Sequence, residues 1–112
     1  MDSDFFKKHT FQLRAVATRV SIEREVPLDL CLAIAAAASQ HHSLLVAMKH
    51  LGSTDDHLEV AGLNFLGTWE LVGQAFDLPK GRCSGAAMDL LGDVTEAKKK
   101  FAEEYTKKKV GV

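Results

Sequence analysis

The chain has 112 residues, of which 46% are apolar and 26% charged, the balance of an ordinary globular domain and not of a disordered segment. That length fits one domain and suffices to bury a core without disulfide or metal staples. A net charge of −1 supplies no global field that would draw in nucleic acid or an anionic membrane.

The predicted elements are helical. The first runs over residues 4–25, with Ser3 as N-cap and Asp4 in the first turn. Phe6, Leu13, Val16, Ala17 and Val20 form one apolar stripe, and Phe11, Ala15, Ile22 and Val26 form another on nearly the opposite side. A helix apolar on two faces is sandwiched between neighbours or buries one face in another subunit. Phe11, Leu13, Ala15 and Ala17 also alternate as a strand would, but no Gly, Pro or Asn-Gly turn interrupts residues 10–25, so helix is preferred.

Pro27 opens the second helix, read as 27–51, and Gly52 supplies a left-handed stop. Its stripe is Leu30, Ile34, Ala37, His41, Leu44, Leu45 and Met48, and its run Ala35 to Ala38 has a thin cross-section that lets a neighbour come close. The third helix, 54–77, starts at Thr54 with Asp55 and Asp56 on the positive end of its dipole. Leu58, Gly62, Phe65, Trp69, Val72 and Phe76 step along it as a bundle seam. Gly62, Gly67 and Gly73 weaken it, with a break expected near Gly67 if anywhere. Asp77-Leu78-Pro79-Lys80-Gly81 reads as a stop and turn. Ser84 then caps a last helix, 85–108, with a stripe of Ala87, Leu90, Leu91, Val94, Ala97, Phe101 and Tyr105 and a second break expected at Gly92. The fold expected is all-α: one compact domain of about four helices in an up-down bundle.

Charge is unevenly spread, at +1 over residues 1–27, −5 over 28–95 and +3 over 96–112. Cys31 and Cys83 have no CxxC spacing, so no zinc or redox framework is signalled. The acidic opening Met1-Asp2-Ser3-Asp4 is unlike a signal peptide, and the longest unbroken apolar run, Leu30 to Ala38, is shorter than a bilayer span. The expected location is the cytoplasm, without membrane contact.

Candidate chemistry centres on His41, a titratable ring in an apolar stripe. Its i+3 and i+4 neighbours are Leu44 and Leu45, which rules out a metal pair along the helix. No HExxH or Glu-x-x-His pattern occurs, so neither a metal nor a cofactor is expected. Aromatic bundle interiors can line ligand pockets, and His41, His42 and Trp69 are the residues a small-ligand, haem or metal binder would use. The cluster Asp55-Asp56-His57 is explained by helix capping. Gly81-Arg82-Cys83-Ser84-Gly85 lacks the Walker spacing, which leaves bare anion binding at the start of the last helix, helped by Lys80 and Arg82. Cys83 and Ser84 are nucleophiles by residue type alone.

The tail carries two lysine triplets, Lys98-Lys99-Lys100 and Lys107-Lys108-Lys109. They could grip phosphates or an acidic partner, but they spread around the helix and suit the negative end of its dipole. The function expected is a non-enzymatic protein–protein interaction or regulatory module, self-associating as a homodimer and serving a further protein partner. The alternatives are a nucleic-acid accessory protein using the tail, and a ligand binder centred on His41.

Overall fold

The structure is a computed structural model that describes residues 3–109, folded as α1 (Ser3–Arg24), α2 (Leu28–His50), α3 (Asp55–Ala75) and α4 (Arg82–Lys109). The all-α reading holds, residues 10–22 are helix, and no strand occurs among the described residues. The expected roles of the Ser3 and Phe6 side chains lie outside the described residues.

Consecutive helices alternate in direction. Lys8 meets Glu104 while Arg24 meets Asp89, so α1 and α4 run antiparallel. On α2 and α3, Ala37 shares a groove with Trp69 while the His41 ring lies tilted against Phe65, again antiparallel. An up-down bundle of square section would keep both diagonal pairs apart. Here one diagonal is closed: α2 packs directly on α4, whereas α1 and α3 do not touch. The outcome is a slab of 49 × 34 × 18 Å.

Side-chain size explains the flattening. Ala35 and Ala38 on α2, and Ala86 and Ala87 on α4, are buried together with Cys31 and Cys83. Small residues at a contact let helix axes approach toward the short end of the usual separation. The thin cross-section of the alanine run is therefore used: Ala35 and Ala36 share a groove with Thr10, Leu13 and Arg14 of α1, and α2 packs on α4 as well. Ile34, Leu90, Val20 and Val94 are the bulkier side chains of the buried cluster, each contributing about 1.5–3 kcal/mol by leaving water. By length and composition α2 could cross a membrane, with a hydropathy of 1.4. In this fold it packs chiefly on α4 and α1, and 28% of its apolar stretch is buried.

Three helix ends close in the same way. The amides of Val26, Ser53 and Leu78 donate to the carbonyls of Ser21, Met48 and Gly73, five residues back. This geometry needs a left-handed residue just before the donor, supplied by Glu25 (φ 54), Gly52 (φ 84) and Asp77 (φ 62). Pro27 is the N-cap of α2, so that helix starts one residue later than predicted. Thr54 caps α3 as expected, its hydroxyl accepting from the His57 amide at 3.3 Å.

The last helix departs from expectation. It begins at Arg82, with Ser84 inside its first turn donating to the Gly81 carbonyl at 3.2 Å. The cap comes from α3: the Glu70 carboxylate accepts from the amides of Gly81 at 2.8 Å and Ser84 at 3.1 Å. The breaks expected at Gly67 and Gly92 do not occur, because α3 and α4 run unbroken. Both glycines lie on exposed faces, where a Cβ would meet open space, and packing of the flanking turns outweighs their helix cost of about 1 kcal/mol each. Gly73 differs, since a Cβ there would lie 2.2 Å from the Cys83 Cβ. There α3 and α4 come into close contact.

Candidate functional site

His41 is 8% exposed and lies against Phe65, ring centroids 4.9 Å apart. Its Nε2 is buried without a hydrogen-bond partner. Burial lowers its pKa, which favours the neutral ring. His41, Phe65 and Trp69 line one groove between α2 and α3, with Ala37 and Ala61, of about 330 Å³.

The three residues proposed for a ligand separate here. His41 and Trp69 share that groove, but His42 faces another. Successive helical residues point about 100° apart, so His42 turns toward α4 and lines a groove of about 460 Å³ with Val46, Lys98 and Lys99. Burial lowers the His42 pKa first, and the nearby charges of Lys98 and Lys99 lower it further. His9, on α1, is lowered by burial and then by Lys98, and its ring lies 4.2 Å from that of Phe101.

Lys98 is thus the hub of a junction among α1, α2 and α4. Its ammonium donates to the Ser39 carbonyl at 2.6 Å and to the Ser43 hydroxyl. Burial lowers its own pKa. Lys99 lies 4.0 Å from Glu96, whereas Lys100 and Lys107 are exposed. The side chains of Lys108 and Lys109 lie outside the described residues. The first triplet is therefore divided between a helix-to-helix bond and open solvent, and does not form one basic surface.

Among the described residues, no three His, Cys, Asp or Glu side chains group closely enough to hold a metal ion. The anion position at the start of α4 is filled from within. Glu70 sits there, and its pKa is lowered to about 2, first by the Gly81 amide, then by Gln74 and the Ser84 amide. Lys80 and Arg82 therefore have no vacant cradle to serve. Both thiols are buried. Cys31 is pushed up to about 11 by burial and by the neighbouring Cys83, and burial likewise raises Cys83. Neither is a thiolate at neutral pH. Glu70 was missed by sequence reasoning, since its partners lie 11 and 14 residues onward, across a turn.

Compared with protein-family models, curated proteins and solved structures, the chain has no match.

Proposed function

We propose that this chain is a small non-enzymatic protein–protein interaction or regulatory module, cytoplasmic, that self-associates through exposed apolar helix faces. Its surplus surface carries the reading. The accessible area is 7397 Å², against about 6,000 Å² for a folded monomer of this mass. Phe11 and Ile22 on α1 are each 74% exposed, and Val60, Leu63 and Leu71 on α3 are exposed as well. Exposed apolar side chains grouped on one helix face mark a contact surface.

Sedimentation equilibrium over about 1 µM to 1 mM, the range of weak association, tests the reading. The average mass should rise above the 12.2 kDa of one chain, and a charge placed in whichever apolar face makes the contact, α1 (Ile22→Glu) or α3 (Leu63→Glu), should reverse the rise. A monomer at every concentration would end it.

A second reading, a ligand binder, is favoured by the groove that His41 and Trp69 line together, with the His41 Nε2 buried and unpartnered behind it. Quenching of Trp69 fluorescence by Zn²⁺ or haemin, lost in His41→Leu, would support it. The nucleic-acid reading has less support, because Lys98 is bonded to α2.

A further inference from the structure

We propose that α1 pairs with α1 of a second copy of this chain, antiparallel, crossing at Ala15 and Thr18. This rests on the self-associating reading above and names its interface. The inner face of α1, with Ala17 and Val20, is buried against the bundle. Its outer face presents Lys8, Phe11, Ala15, Thr18 and Ile22, spaced 3, 4, 3 and 4 residues apart, and Glu25 follows three residues on, just past the helix end. That alternation is the seam of a two-helix contact.

The seam is complementary to itself in one direction only. In an antiparallel pair about a two-fold axis, Phe11 lies opposite Ile22 of the second copy and Ala15 lies opposite Thr18. Lys8 then meets Glu25 of the other copy at both ends. A parallel pair would instead set Lys8 on Lys8 and Glu25 on Glu25, like charges at each end. Small residues at the crossing let the backbones approach, and the two bulky side chains fill the space where the axes diverge. An open hollow of about 540 Å³, lined by Phe11, Ala15, Thr18 and Ile22 and flanked by Arg14, Arg19 and Glu23, already marks that crossing.

The surrounding charges leave the seam accessible. Arg19 is drawn to Asp93 on α4. Lys8 and Glu25 have only loose partners within the chain, Glu104 at 3.9 Å and Arg82 at 3.8 Å, and both side chains are well exposed.

Sedimentation equilibrium of the full chain and its variants tests the pairing. Ile22→Glu should raise the dimer dissociation constant about tenfold or more, and Leu63→Glu on α3 should leave it unchanged. Lys8→Glu and Glu25→Lys should each weaken the dimer, and combining them should restore it. Thermal melts of dilute protein serve as the folding control, since these side chains are exposed. Under copper–phenanthroline oxidation, Lys8→Cys mixed with Glu25→Cys should cross-link, whereas Lys8→Cys alone should not, the two copies of position 8 lying about 25 Å apart. Association that survives Ile22→Glu but is lost in Leu63→Glu overturns this interface and leaves the self-associating reading standing. A double charge reversal weaker than either single one also overturns it, and a strict monomer overturns both.

Discussion

His41 and Glu70 show opposite fates for a polar group among helices. The buried Nε2 of His41 has no partner, and such an orphan costs about 1–3 kcal/mol. We expect His41→Leu to raise unfolding stability at pH 7 by about 1 kcal/mol, allowing for the Phe65 contact it loses. A shift of the urea midpoint reads this, and a destabilised variant would show that the ring is needed. The pH dependence has a definite sign. Burial lowers the folded-state pKa of His41 below 6.5, so below pH 6.5 the unfolded chain takes up the proton first and stability falls. His41→Leu should reduce that slope without removing it, because His9 and His42 are lowered as well. Glu70 works the other way. With its pKa at about 2 against 4.5, it contributes stability above pH 4.5 that is lost as pH falls through about 2. Glu70→Gln should melt a few degrees lower at pH 7, and the gap should close across that acid window. A gap that stays constant down to pH 2 would assign the effect to shape and not to charge. The position of His41 was legible from spacing within one helix. The role of Glu70 was not, because it depends on where a turn folds the next helix back.

At the scale of elements, the glycines of α3 make the same distinction. Gly62, Gly67 and Gly73 read alike in the sequence, as weak points of the helix. The structure sets Gly73 apart, because there Cys83 occupies the space of a Cβ. We expect Gly73→Ala to destabilise by about 1–3 kcal/mol through overpacking. Gly67→Ala should stabilise by about 1 kcal/mol through helix propensity. Chemical denaturation of the two variants side by side checks both, and effects of equal sign would refute the assignment. The two stripes of α1 were equally visible in the sequence, and their division between core and solvent was not. Val26 leaves the second stripe because it follows the left-handed Glu25 and turns inward, 2% exposed. Phe11 and Ile22 remain outside. Periodicity states that a face is apolar, and only the packing states what covers it. On α3 the seam is kept at Phe65 and Trp69, but Phe76, past the end of the helix, is 68% exposed.

For the whole molecule, the closed diagonal sets a gradient of stability. The buried cluster draws on α1, α2 and α4, whereas α3 adds only partly buried Phe65, Leu66 and Trp69. We expect the central amides of α3 to exchange with deuterium about tenfold faster than those of α2 and α4 near Ile34 and Leu90, as a locally opening unit. Equal protection would mean that all four helices unfold as one. The helix count and the alternating directions could be read from capping, turns and short connections. The cross-section could not, since it depends on how five alanines and two cysteines, far apart in the chain, fit between α1, α2 and α4.

That narrow α2–α4 contact also divides the chain's tolerance to change. Two helices locked face to face by residues that cannot grow form a keel, and α1 and α3 ride on its sides like outriggers that never meet. Either outrigger can gain, lose or exchange its outward side chains without disturbing the keel. A larger residue at Ala38 or Ala86 would instead spread the keel and move both outriggers together.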